Sequence, residues 1–242
     1  MAGLFHSFIY EPIYNALAFI VSVVPGGDIG IGIVGITLLV RLILFPVSLA
    51  AIRTQIAMRE IDPKLKALRA ELKDNKDELA RRTMTLFKDN KINPFASFLL
   101  IFIQLPVIIG LYAVLRSESK SVTFDPTLLY SFIHAPMNAS LIFLGVINLA
   151  EKSIILALIV GATQFIYGRL IAPKIAAKSG GAASFQDDLA QSMNLQMRYV
   201  FPLMLAGIAY YASAAIALYF VVSNCFSIGQ ELFVRKIHNG KR

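Results

Sequence analysis

Residues 29–51, IGIGIVGITLLVRLILFPVSLAA, decide the fold class of this chain. They form an apolar run interrupted by a single charge, Arg41. An α-helix needs about twenty predominantly apolar residues to cross the hydrocarbon core of a bilayer. The run therefore predicts a transmembrane helix that carries an arginine near its middle.

The composition of the whole chain agrees with a membrane protein. Of its 242 residues, 57% are hydrophobic and 16% are charged, which lies outside the range of soluble globular proteins. The single cysteine and three scattered histidines offer neither a disulfide framework nor a zinc site. We find no catalytic or nucleotide-binding motif, so we expect a protein that is not an enzyme and that needs no metal or other cofactor.

Further apolar runs predict further spans. Residues 94–115 and 154–172 are each long enough for one helix. The run from 199 to 234 is long for one helix and slightly short for two of full length. We predict two short spans there, 199–212 and 214–234, joined by a tight turn at 211–213.

The distribution of Lys and Arg sets the orientation and the number of spans. Residues 1–28 contain none, whereas 52–93 contain eleven and 235–242 contain four. Cytoplasmic flanks collect basic residues, so residues 52–93 and the tail 235–242 should both lie inside. The outer loop 116–153 and the cytoplasmic loop 173–198 contain three each. We predict five transmembrane helices, with the N-terminus outside and the C-terminus in the cytoplasm.

Two short apolar segments fall outside the predicted spans. Residues 12–24, within the outer segment 1–28, predict an amphipathic helix at the outer membrane interface, with Tyr10 and Tyr14 as headgroup anchors. Residues 139–150 are too short to span and predict either a lipid-surface segment or a packed loop.

The loop 52–93 mixes eleven basic with seven acidic residues and predicts a cytoplasmic helical hairpin. Asp62 and Pro63 are a typical helix start, and Asp77 can cap the second helix. The hairpin is either a solvated structure or a docking surface, and the sequence leaves both open.

Polar residues within the spans define candidate sites. A helix turns by about 100° per residue, so Thr37, Arg41 and Ser48 share one stripe of the first span. The other candidates are Gln104 in the second span, Gln164 in the third, and Asn224 and Ser227 in the last. For the amides, hydrogen bonding between helices competes with a binding role.

Arg41 is the most informative of these residues. A charge in the middle of a span costs about 2.5–3.5 kcal/mol and marks a functional site. The centres of the predicted spans hold no Asp or Glu, so water, polar side chains or an external carboxylate are the available partners. The alternative is a structural arginine bound to backbone carbonyls near Pro46.

Three stretches resemble the YidC/Oxa/Alb family of membrane protein insertases: residues 30–52 around Arg41, NPFASFLLIFIQLPVIIGLYAVLR at 93–116, and ALYFVVSNCFSIGQ at 217–230. The resemblance extends from about residue 12 to 235. Phe220 stands where the family usually carries tryptophan, Ser213 where it carries proline, and Tyr167 where glutamine is common.

The resemblance implies a five-helix insertase core whose helices enclose a hydrophilic groove, open to the cytoplasm and to lipid. Arg41 matches the groove arginine, and Gln104 and Asn224 match recurrent polar positions. The implied partners are nascent membrane proteins as clients and the lipid bilayer, with the ribosome, the signal recognition particle pathway and the Sec translocon as further candidates, and no DNA. The implied location is the bacterial inner membrane. The alternative function is a small anion channel or carrier that uses the same arginine.

Overall fold

The computed structural model describes residues 2–72, 75–90, 92, 106–114, 124–136, 138–171 and 195–239. Within these ranges the chain is mostly helical, in agreement with the predicted helical membrane protein, and one small β-hairpin interrupts the pattern. The elements in chain order are α1 (Ala2–Phe5), a π-helical turn (His6–Tyr10), α2 (Glu11–Val23), a 3-10 turn (Pro25–Gly27), α3 (Ile29–Ile43), α4 (Phe45–Glu71), α5 (Lys76–Asp89), α6 (106–114), a 3-10 turn (Pro126–Leu128), β1 (Ile142–Phe143), β2 (Ile147–Asn148), α7 (Ile154–Ile171), a π-helical turn (Gln196–Val200), α8 (Phe201–Ala212) and α9 (Ala214–Asn239).

Two of these helices, α7 and α9, are long and apolar enough to cross a membrane by themselves. The pair α3 and α4 meets the same criterion together, across a bend of 63°. Helix α8 has 12 residues, and the predicted second span lies largely outside the described residues. The described part of the chain thus holds two or three candidate spans, and five spans remain a prediction.

The first predicted span is broken. We expected one helix over 29–51, but α3 ends at Ile43 and α4 begins at Phe45 after the break at Leu44. Pro46 lies in the first turn of α4, where its missing N–H costs least, whereas further inside a helix it would clash with the preceding turn. The break beside Pro46 bends the predicted span 29–51, but α3 and α4 together remain long and apolar enough to cross a membrane.

The predicted helix start at Asp62 and Pro63 is also wrong, because α4 continues through both residues to Glu71. Ile61 and Leu65 are buried on either side of the proline, and this burial offsets the hydrogen bond that Pro63 cannot donate. Helix α5 begins at Lys76, and its cap is Asn75 rather than Asp77.

The N-terminal helix α2 packs onto α3. Tyr14 and Leu17 are fully buried, and a Cβ atom on Gly32 would lie 2.9 Å from Leu17. The Tyr14 hydroxyl accepts a hydrogen bond from the backbone N–H of Asp125, and its ring meets Phe124 edge-on. Tyr14 is therefore a core residue, and its predicted role as a headgroup anchor is wrong.

The loop that precedes α7 is fastened to the start of α3. The Asp28 carboxylate accepts hydrogen bonds from the N–H groups of Gly30 and Ile31, and its second oxygen accepts one from Leu144 at 2.8 Å. The backbones of Ile29 and Ser140 are joined at 3.0 Å. One carboxylate thus caps a helix and holds a loop.

The same loop is fastened to the start of α9. The N–H groups of Ala214 and Ala215 donate to the carbonyls of Glu151 and Leu149, at 2.7 and 3.1 Å. The turn predicted at 211–213 is confirmed, because Ser213 is extended and separates α8 from α9. The first turns of α3 and α9 therefore lie at the same end of the molecule.

We predict that Asp28→Ala lowers the free energy of unfolding by about 2 kcal/mol, because three backbone N–H groups lose their acceptor at a buried site. Equilibrium unfolding in mixed micelles measures the change. Asp125→Ala is the control, because Asp125 caps only an exposed 3-10 turn and its loss should cost less. Equal stability of Asp28→Ala and the unmodified chain would contradict the prediction.

Candidate functional site: a polar seam around Arg41

Helices α3 and α9 run side by side in the same direction and meet along matching polar positions. Arg41 contacts Ser223. Ser48, seven residues after Arg41, contacts Gln230, seven residues after Ser223. Four residues before the arginine contact, Thr37 and Tyr219 line one cavity. Because the spacings are the same on both sides, one stripe of α9 faces Thr37 and Arg41 on α3 and then Ser48 in the first turn of α4. We call these six residues the polar seam.

Arg41 lies at the centre of the polar seam. Its guanidinium donates a hydrogen bond to the Ser223 hydroxyl, and Tyr219 and Tyr167 lie close enough to interact with it electrostatically. Among the described residues no carboxylate pairs with Arg41. Its charge is therefore held by neutral groups rather than neutralised by an acidic side chain.

The two ends of the seam differ in character. Thr37 is buried, donates to the carbonyl of Ile33, and borders a small cavity whose other walls are mostly apolar. At the opposite end, the Gln230 amide donates to Ser48 at 2.6 Å, and Ser48 donates to the carbonyl of Phe45 at 3.0 Å. The carbonyl of Phe45, next to the break at Leu44, thereby accepts hydrogen bonds from side chains of α4 and α9.

The remaining predicted site residues have different partners and do not all lie at the polar seam. Asn224 turns toward α7 and donates to Thr163 at 3.2 Å, so hydrogen bonding between helices is confirmed for this residue. Ser227 is buried and donates to the carbonyl of Ser223 on its own helix. Gln164 is buried on α7, and Gln104 lies outside the described residues. The structure brings Thr37, Arg41 and Ser48 to the seam, and their role in binding remains a prediction.

A second charged cluster, at the carboxyl end of α7, was missed by the sequence analysis. Arg59 and Arg235 both donate to the carbonyl of Leu170. Arg235 also pairs at 2.6 Å with Glu231, which is completely buried. Cations are favourable at the carboxyl end of a helix, where the last carbonyls lack partners. This cluster joins α4, α7 and α9 at the end of the molecule opposite Asp28.

The i, i+4 spacing of Glu231 and Arg235 was the only sequence signal for this cluster. It resembles that of any exposed helical pair, and Arg59 lies in the predicted cytoplasmic hairpin, for which the sequence left a solvated structure and a docking surface open.

Within the part of the chain that the structure describes, no group of three His, Cys, Asp or Glu could hold a metal ion.

The family model described as "60Kd inner membrane protein" matches residues 19–241, nearly the whole chain. The chain belongs to this family. The resemblance seen in the sequence is thereby confirmed, and the protein is a membrane protein of the YidC/Oxa group.

Several curated members of the family carry the name "Membrane protein insertase YidC". A relative from Clostridium tetani is 30% identical over 90% of this chain and 88% of its own length. One from Fusobacterium nucleatum is 27% identical over 95% of this chain and 98% of its own length. A relative from Pseudomonas fluorescens is 31% identical, but the match covers only 36% of that longer protein.

We predict that Glu231→Gln lowers the free energy of unfolding by about 2 kcal/mol or more, because Arg235 would lose its buried carboxylate partner and Arg59 a nearby negative charge. Equilibrium unfolding in mixed micelles gives the value.

The matched control is Glu78→Gln, which breaks a second Glu–Arg pair at the same spacing. That pair, with Arg82, is exposed. Its hydrogen bond to Glu78 and the charge of Glu71 raise the pKa of Arg82 above its ordinary value, but exposed pairs contribute little to stability. We expect no measurable loss for Glu78→Gln. Equal losses in both variants would contradict the structural role of the buried pair.

Proposed function

We propose that this chain is an insertase that inserts integral membrane proteins into the bilayer and helps them fold. The names of the relatives support this class of function. The observation that carries the proposal is Arg41, a charge set between two apolar helices and held by the neutral hydroxyl of Ser223. Such a group is available for a charged segment of another protein.

The polar seam gives the insertase a way to lower the barrier to insertion. A polar terminus or short loop of a client pays a large free-energy cost in hydrocarbon. Hydroxyl, amide and guanidinium groups along the seam replace part of the lost hydration. The apolar helix of the client then moves into the bilayer, driven by its own transfer free energy, so that no nucleotide is required.

Arg41 adds a charge preference to this path. It attracts acidic groups of the translocating segment and opposes the passage of Lys and Arg. A client with a basic segment next to its apolar helix therefore keeps that segment on the cytoplasmic side of the membrane.

The directions of the helices support five spans with the two termini on opposite sides, and the basic residues of 52–93 and 235–242 favour the N-terminus outside and the C-terminus inside. Asn224 meets Thr163 and, eleven residues later, Arg235 meets the carbonyl of Leu170, so α7 and α9 run in the same direction. Helix α3 runs parallel to α9 as well. If all three cross the membrane in one direction, a returning segment must lie between each consecutive pair. Helices α6 and α8 occupy those two positions in the chain, which gives five.

The remaining assignments follow from this topology. The polar end of the seam, at Ser48 and Gln230, and the helices α4 and α5 beyond it lie on the cytoplasmic side of the bacterial inner membrane. Nascent membrane proteins arrive there. The basic excess of this region also suits contact with the ribosome, the signal recognition particle pathway or the Sec translocon.

We predict that Arg41→Ala reduces insertion of a client with an acidic N-terminal tail by about tenfold, a loss of about 1.4 kcal/mol of charge stabilisation. Arg41→Lys should retain more activity, because it keeps the positive charge. Insertion into vesicles that contain the purified protein measures the effect.

Ser223→Ala is the matched control, because it removes the hydrogen-bond partner of Arg41 and leaves the charge in place. Because the Ser223 hydroxyl belongs to the polar seam, we expect a loss for this variant too, but a smaller one than for Arg41→Ala. If Arg41→Ala inserts acidic-tail clients as well as the unmodified protein does, the electrostatic part of the mechanism is wrong.

A photoreactive amino acid at Val40, which borders the seam cavity, should crosslink to nascent membrane proteins. The same group at Leu158, an exposed position of α7, should crosslink mainly to lipid. The alternative function, a small anion channel or carrier, predicts no client crosslink and instead a flux of small anions across liposomes. That result would replace the insertase proposal.

A further inference from the structure

The short β-hairpin before α7 presents an apolar tip. Strands β1 and β2 are antiparallel and are joined by a turn at 144–146. The side chains of Ile142, Leu144 and Val146 are 51%, 66% and 82% exposed. We call these three residues the hairpin tip. Its exposed aliphatic surface needs an explanation, because the same loop buries other apolar residues such as Leu149.

The hairpin tip is held firmly against the start of α3. The Leu144 N–H donates to Asp28, and the ring of Phe143 covers Gly30 so closely that a Cβ atom there would lie 2.1 Å from it. Leu144 has φ +50, in the left-handed region that a leucine rarely adopts. A strained residue persists only when its surroundings determine it, and such positions cluster at binding sites. The fold therefore fixes an apolar side chain in the outward position.

Charge and aromatic residues place the hairpin tip at a membrane boundary. Residues 138–150 contain no charged residue. Just beyond them, the Lys152 ammonium lies over the rings of Tyr210 and Tyr211, at 5.7 and 5.1 Å from their centroids. Tyrosine and lysine at the ends of spans mark the headgroup level.

The candidate span that follows the hairpin in the chain also exposes apolar side chains. Helix α7 starts two residues after Lys152, and its first turns expose large aliphatic side chains, Ile154, Ile155 and Leu158. The charged pair Glu151 and Lys152 lies in the sequence between the hairpin tip and these exposed side chains of α7.

We propose that the hairpin tip inserts into the boundary between headgroups and acyl chains of the leaflet that meets the N-terminus of α3. It anchors the outer loop to lipid and so fixes the first turns of α3 and α9, to which that loop is bonded. Lipid is the occupant that fits, because three aliphatic side chains without charges are far fewer than the roughly 20 to 30 residues that each partner contributes to a stable protein interface. This anchor is independent of client insertion.

A single tryptophan tests the proposal, because the chain has none. Leu144→Trp in lipid nanodiscs should show blue-shifted emission and strong quenching by lipids brominated near the glycerol end of the acyl chain. An aqueous quencher such as iodide should act only weakly. Val146→Trp should behave in the same way, and it decides the outcome if tryptophan at 144 disturbs the turn.

Two control positions give the quenching expected for a tryptophan in water and for one deep in the lipid. Lys88→Trp, exposed on α5, should be quenched by iodide and not by bromolipid. Leu158→Trp, exposed on α7, should be quenched best by lipids brominated near the middle of the chain. The proposal is overturned if Leu144→Trp and Val146→Trp behave like Lys88→Trp. It is also overturned if both are shielded from iodide and bromolipid alike, which would indicate a protein partner.

Discussion

Arg41 carries a charge between helices whose opposite faces are apolar, and the arrangement of α3 and α9 depends on keeping that charge among polar groups. An unsolvated charge in hydrocarbon is costly, so α9 must supply hydroxyl and amide groups where α3 and α4 present the arginine and Ser48. The parallel course of the two helices, with contacts at Ser223 and Gln230, meets this requirement. The break at Leu44 lies within the same stretch, and the Ser48 hydroxyl donates to the carbonyl of Phe45 beside it.

The two ends of the molecule are fixed by different chemistry. At one end Asp28 and the backbone of residues 140–151 bind the first turns of α3 and α9. At the other end Arg59, Glu231 and Arg235 join α4, α7 and α9 around the carbonyl of Leu170. Because the contacts at both ends fix α3, α4 and α9, the polar groups of the seam stay opposite one another. The apolar outer faces of α3 and α7 remain available to lipid. This combination of a fixed polar interior and a lipid-facing exterior suits a protein that transfers helices from water to lipid.

The fold class and the central residue could be predicted from the sequence. Apolar runs about as long as the bilayer is thick identify membrane helices without knowledge of their packing, and an arginine within such a run stands out against the cost of placing it there. The kink at Pro46 and the turn at Ser213 were predictable for a similar reason, because proline geometry and helix length are local properties. The family was evident from the three motif stretches.

Other features were decided only by tertiary structure. Asn224 lies next to Ser223 in sequence, yet the packing of α7 gives it Thr163 as a partner, whereas Ser223 faces Arg41. Tyr14, a tyrosine in an amphipathic segment, was predicted to be an interfacial anchor, but it is a core residue because α2 lies against α3. Helix α4 passes through Pro63, since Ile61 and Leu65 are buried beside it. The sequence by itself determined which segments are apolar enough to enter a membrane and that one of them carries a charge, because transfer free energy is a property of each segment. Which polar side chains meet that charge depended on the packing of helices distant in the chain.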